Sequence, residues 1–431
     1  MKKTLISAIA IFSIAALQAQ TVKVSLPNFA GKEYTYALTQ GDTKDTIARG
    51  KLNASGTVIL TLPASQKGYK GFAQLLIDKS VGIDFIIKNE NFAVNFTDAQ
   101  PTIENMKFTG SPENDFLKGS LNQKKILEKI ALVKSGLEVY DKEDALYTAF
   151  TKEKIQLNLD FAAEHAVVKN SPLYAARVRE MAGFLMGIGS SPDMTQEELL
   201  KEFRPFIKDK LDIDALYTSN LWSPVIINWF NMQQYAIKDD TVLLEDTKAI
   251  LSRIKSNKVY TAFADKIVGL LAKAVKDDMV GALGQYVSQS GRAEKPGNNL
   301  LSAMNNLNSG AIAPVLKTAT SKKTITNKTL LFFYESGCNS CENEIHQLIG
   351  NYSIVQEKGY EVISVAADLS TNAGQDHDHK FPWKEQLCDF KGFKGENFIN
   401  YGVIGTPTFF VIDANGKITG RYATLIEAGI L

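Results

Sequence analysis

Cysteine is scarce in this chain. Three residues out of 431, Cys338, Cys341 and Cys388, exclude a disulfide framework. Histidine is limited to His165, His346, His377 and His379. With no second Cys-x-x-Cys, and with His377 and His379 too close together for the usual His pair, a four-ligand structural zinc site is not expected. A charge excess is also missing. Forty-eight basic and 47 acidic residues leave a net +1, and the basic side chains are interleaved with acids, so no nucleic-acid partner is expected. No acid pair, metal cluster or glycine-rich phosphate loop marks the first hundred residues, and no cofactor is implied. The apolar run Leu5–Leu17 falls short of the roughly 20 residues that cross a bilayer. Lys2 and Lys3 precede it and Leu17-Gln18-Ala19 follows, so residues 1–20 read as a cleaved secretory signal. No cysteine near that exit offers a lipid attachment point. The expected product is periplasmic or secreted and does not span the membrane.

What is present divides the chain by period. Residues 21–110 contain short alternating or apolar runs, among them Val22–Leu26, Thr57–Leu62, Gln74–Ile77, Ile83–Ile87 and Phe92–Phe96. Turn residues at Gly31, Gly41-Asp42, Asn53–Gly56 and Asn89–Asn91 separate them, which predicts a β-sandwich or small barrel. Ser111-Pro112-Glu113 has the form of a helix start, a capping hydroxyl followed by proline at the first position. Residues 111–287 then read as helical, with breaks at Ser171-Pro172, Gly187–Pro192 and Ser223-Pro224. The aromatic cluster Leu221–Phe230 suits a helix core better than a groove lining, and His165 reads as a surface or satisfied core histidine. The polar stretch 288–299, holding Gly291, Pro296 and Gly297, is the linker expected before a C-terminal domain at 300–431.

That last domain is organised around Thr329–Leu348. Leu330–Tyr334 reads as a strand covered on both faces. After a short turn, Ile345, Leu348 and Ile349 fall at helical spacing. Cys338-Asn339-Ser340-Cys341 stands at the junction. Two thiols on a first helical turn can close a disulfide, and the free N–H groups and dipole there favour a thiolate on Cys338. Tyr360–Ala367 reads as the next parallel strand, completing a βαβ unit. Asp376-His377-Asp378-His379 lies in a polar loop that reads as solvated rather than metal-binding. Cys388 reads as a buried, inert thiol, with a third redox thiol as the other reading.

The segment Phe332–Cys341 resembles the strand and active-site turn of the thioredoxin superfamily. Tyr401–Lys417, with Thr406-Pro407 followed by an apolar strand and Asp413–Gly416, resembles the superfamily's second signature. Gly310-Ala-Ile-Ala313-Pro314 resembles the opening of the TlpA/ResA branch. The resemblance implies a thioredoxin-like α/β domain whose nucleophile is Cys338 and whose resolving thiol is Cys341. It implies cis-Pro407 opposite the pair, with Thr406 offering backbone groups to an extended substrate. It also aligns Glu344 with a glutamate beside the thiols, a candidate proton acceptor; a solvated first-turn acid is an equal reading. The chain departs from the usual pattern at Gly337, where thioredoxins carry Trp, at Asn339-Ser340 in place of Gly-Pro, and at Phe332 in place of a buried aspartate.

On this reading the chain is an exported thiol–disulfide oxidoreductase acting on disulfide-containing proteins, resupplied by a membrane thiol carrier if it works as a reductase. The alternative is a non-enzymatic binding or scaffold protein that uses the thioredoxin-like domain as an interaction module. Peroxide reduction fits less well, because a Thr-x-x-Cys site is replaced here by two thiols.

Overall fold

The computed structural model describes residues 20–98, 100–305, 307, 309–318, 321–370 and 379–431. Residues 1–19 of the expected signal, and Asp376, His377 and Asp378 of the polar loop, lie outside the described residues. Contacts gather the chain into two compact units. One holds residues up to 204 together with 215–226, and the other holds 205–214 and 227–431.

The first unit begins with β1 (Thr21–Ser25), β2 (Glu33–Gln40), β3 (Thr43–Lys51), β4 (Thr57–Thr61), β5 (Lys70–Ile77), β6 (Val81–Lys88), β7 (Phe92–Asn95) and β8 (Lys107–Thr109). They form two four-stranded sheets, ordered β4-β1-β7-β8 and β3-β2-β5-β6. One apolar core draws Val22, Val24, Leu60 and Val94 from the first sheet and Tyr36, Leu38, Leu75 and Phe85 from the second. Alternate side chains of a strand face opposite ways, so each sheet gives one face to that core.

Ser111 caps α1 (Pro112–Lys118), its hydroxyl accepting the Asn114 N–H and Pro112 filling the first turn. Helices α2 (Ser120–Val139), α3 (Ala145–Asn170) and α4 (Tyr174–Leu185) follow. The buried Glu113 carboxylate joins these layers. It accepts Lys88 Nζ at 2.6 Å and the N–H groups of Tyr174 and Ala175 at 3.2 and 2.8 Å. Asn114 clasps the backbone of Ile86 through both amide atoms. Strand β6 and helices α1 and α4 are thus tied by two side chains. His165 in α3 is half-buried and stacks on Phe161 at 6.3 Å.

Later helices are α5 (Gln196–Pro205), α6 (Ile213–Tyr217), α7 (Trp222–Asn231), α8 (Asp240–Arg253), α9 (Asn257–Lys273), α10 (Asp277–Ser290) and α11 (Asn298–Met304). Ser223-Pro224 opens α7 rather than interrupting it, since proline is tolerated in a first turn. Trp222, Trp229 and Phe230 are core residues. The 288–299 stretch lies along α9. The Arg292 guanidinium donates to Ile254 O at 2.7 Å and covers the Tyr260 ring, and Glu294 N–H meets Thr261 Oγ1 at 2.8 Å. Long polar side chains gave this stretch its linker-like composition, and here they anchor it.

The C-terminal sheet follows two short strands, β9 (Leu316–Lys317) and β10 (Lys322–Lys323). It comprises β11 (Thr329–Tyr334), β12 (Glu361–Ala366), β13 (Glu385–Cys388), β14 (Thr408–Ile412) and β15 (Ile418–Tyr422), with α12 (Asn339–Gly350), α13 (Tyr352–Glu357) and α14 (Glu396–Asn400) between them. The order is β13-β12-β11-β14-β15. β11 runs parallel to β12 and antiparallel to β14. Every residue of β11 is buried. Leu331 and Phe333 enter a core with Tyr401 and Phe410, and Leu330, Phe332 and Tyr334 enter another with Cys341, Ile345 and Trp383. A central strand between two cores explains an apolar run without alternation.

Candidate active site

β11 delivers the chain to a turn at its C-terminal end, and that turn is fixed by hydrogen bonds. Ser336 gives its N–H and its hydroxyl to the Asp368 carboxylate at 3.1 and 2.9 Å. Gly337 takes φ 77°, in the left-handed region where a side chain is strained. Glycine therefore suits this turn at the position where thioredoxins carry Trp. Cys338 follows as the N-cap of α12, and its carbonyl accepts the Glu342 N–H at 2.9 Å.

The two thiols are free and differ in surroundings. Cys338 is partly exposed, whereas Cys341 is fully buried beside Ile345, Leu348 and Trp383. Burial pushes the Cys341 thiol up to about 12, opposed by hydrogen bonds from the Glu335 backbone and the Thr406 side chain and reinforced by the neighbouring Cys338. The same interactions place Thr406 and Cys338 beside that sulfur. The Thr406–Pro407 peptide is cis. Thr406, distant in the chain, thus meets Cys338 and Cys341 at the opening of α12.

Glu344 is 6 % exposed, which excludes the solvated-acid reading. Its carboxylate accepts the Leu425 N–H at 2.9 Å, so it holds the segment after β15 against α12. Cys388, at the end of β13, is half-buried, and burial raises its thiol as well. Its Sγ lies 3.8 Å from Asp368 O.

Asp368 and Glu342 belong to this region and escaped the sequence reading, and Phe381 joins them. Asp368 anchors the turn, and Glu342 Oε1 accepts the Gly337 N–H at 3.2 Å. Phe381 stacks on Trp383 at 4.6 Å and meets Tyr334 edge-on at 5.7 Å. Trp383 in turn donates its indole N–H to Ser364 at 2.9 Å. The aromatic run Phe381-Pro-Trp383 was the available signal for this wall. Nothing in the sequence marks Asp368 as the partner of Ser336. Among the described residues, Glu342, His346 and His379 have donor atoms close enough together to share a cation.

Comparison with known proteins gives a consistent picture of this part of the chain. Residues 313–421 match the AhpC/TSA family model. Thiol-disulfide oxidoreductase ResA of Bacillus thuringiensis subsp. konkukian is 35 % identical over 88 residues, 20 % of this chain and 50 % of that protein. ResA of Bacillus anthracis is 33 % identical over the same extent. The chain thus spans about half the length of the curated relatives it matches. A crystal structure described as a candidate thiol:disulfide interchange protein DsbE from Chlorobium tepidum shares 26 % identity, covering 27 % of this chain and 86 % of that one, with a TM-score of 0.24. The thioredoxin domain of a thiol-disulfide oxidoreductase from Bacteroides vulgatus shares 20 %, covering 29 % and 100 %, with a TM-score of 0.25. None of the helices in the described residues is long and apolar enough to cross a membrane. In its paired cysteines, its cis-proline signature and these sequence matches, the C-terminal domain is similar to the TlpA/ResA branch of the thioredoxin superfamily.

Proposed function

We propose that the chain is an exported enzyme of thiol–disulfide exchange and that Cys338 and Cys341 carry the reaction. The observation behind this reading is the asymmetry of the pair, an accessible sulfur at a helix mouth beside a buried one. The Cys338 thiolate attacks one sulfur of a substrate cystine. That S–S bond breaks, the departing sulfur takes a proton, and a mixed disulfide links Cys338 to the substrate. Cys341 then loses its proton and attacks Cys338 Sγ, releasing the second substrate sulfur as a thiol. Two electrons pass to the substrate, and the protein keeps the Cys338–Cys341 disulfide. A dithiol donor, such as a membrane thiol carrier, restores the reduced form when the chain acts as a reductase.

Thr406 and Pro407 line the substrate-binding edge, where an extended segment of a protein substrate pairs with exposed backbone. Glu344 accepts the Cys341 proton during resolution. Glu344→Gln keeps an acceptor for Leu425 N–H but removes the base, so the mixed disulfide should persist longer. An unchanged mixed-disulfide lifetime removes Glu344 from the mechanism.

Insulin reduction in the presence of dithiothreitol tests the activity. Cys338→Ser should abolish it; retained activity overturns the assignment. A Cys338 that alkylates only slowly at neutral pH, in a protein without reductase activity, favours the scaffold reading instead. Redox titration of the pair then separates a reductase from an oxidant or isomerase.

A further inference from the structure

A second set of donors stands on α12 beyond the dithiol. Glu342 and His346 are four residues apart and therefore share a helix face. His379 approaches from the segment preceding β13. Its Nε2 lies 2.5 Å from Glu342 Oε2, its ring meets His346 edge to face at 5.1 Å, and the donors of all three residues fall within 4.8 Å of one another. Glu342 and His379 are largely covered, with side-chain exposures of 14 % and 16 %, whereas His346 is exposed. The cluster has a covered floor and an open side.

An ion pair accounts for His379 and Glu342 alone. It leaves the second imidazole at the same point without a role. A divalent cation accounts for all three, because neutral imidazoles and a carboxylate then share one partner. Metal–ligand bonds of about 2.0–2.2 Å hold two donors no more than about 4.4 Å apart. The three donors lie within 4.8 Å of one another, close to that limit, and the third ligand, His346, is exposed. The outer contacts also suit a metal site. Glu342 Oε1 accepts the Gly337 N–H at 3.2 Å, and Phe381 stacks on His379 with ring centroids 6.0 Å apart, so two of the three ligands are held in orientation.

We propose that Glu342, His346 and His379 form a zinc-class divalent metal site with two nitrogen ligands and one oxygen ligand, leaving a fourth position toward solvent. It uses neither sulfur of the dithiol. A bound ion would pin the 379–383 segment to α12.

The test uses the full chain without an affinity tag and with Cys338→Ser/Cys341→Ser, so that no dithiolate competes for metal. Zinc chloride is titrated calorimetrically after chelator treatment, and cobalt(II) is followed by absorption. One zinc per chain should bind, and cobalt should give visible d–d bands without sulfur charge transfer. His346→Ala and His379→Ala, each made in that background, should weaken zinc binding at least about tenfold. His346 is exposed, so its substitution separates ligand loss from misfolding. Absence of binding, or affinity unaltered by both histidine substitutions, overturns the proposal.

Discussion

Cys338 and Cys341 are three residues apart on one helical turn, yet one sulfur meets solvent and the other is sealed in the core beside Trp383. Iodoacetamide at pH 7–8 should therefore modify Cys338 and leave Cys341 intact in the reduced protein, with peptide mass spectrometry locating the label. Equal labelling would contradict the burial. Burial also sets a pH dependence. The Cys341 thiol lies at about 12, above its ordinary 9.0, so folding favours the protonated form. That contribution is complete below about pH 9 and is lost as pH rises toward about 12. The urea midpoint of the reduced protein should fall across this window more steeply than that of Cys341→Ser. Parallel curves would count against it. Gly337, at φ 77°, should resist a side chain: Gly337→Ala is expected to cost about 1–2 kcal/mol by chemical denaturation.

Elements were legible wherever one physical signal dominated. β11 could be read because only a strand between two cores tolerates six buried residues in succession. The α1 start could be read because Ser111 and Pro112 satisfy the helix terminus locally. β2 and β3 escaped although Gly41-Asp42 was recognised as the turn between them. β3 is largely exposed and polar, as suits an edge strand, so its pattern carries little hydrophobic signal. The Glu342–His346–His379 cluster escaped because helix periodicity and a distant loop must both be known before the three side chains meet. Glu344 was placed on the right turn of α12, but its hydrogen bond to Leu425 lies 81 residues away in the chain. Glu113 is the corresponding tie in the first unit. Glu113→Ala removes a buried carboxylate with three donors and should destabilise that unit by roughly 3 kcal/mol, measured by urea denaturation. A loss below about 0.5 kcal/mol would show that these bonds are replaced by water.

At the scale of the whole molecule, the proposed exchange falls in a minor part of the chain, near the 313–421 match. Helix α12, which carries the dithiol, and the Glu113 junction belong to different compact units. Glu113→Ala should accordingly leave the alkylation rate of Cys338 at neutral pH unchanged while it lowers the stability of its own unit. A parallel drop in both would show that the units act as one. The most direct measurement of the exchange itself is covalent trapping with Cys341→Ser, which stops the reaction after the first attack. Incubated with disulfide-containing proteins, this variant should accumulate a mixed disulfide at Cys338 that dithiothreitol releases, and Cys338→Ser should form none. Failure of Cys341→Ser to trap any cystine-bearing protein, or trapping that persists in Cys338→Ser, would contradict the account.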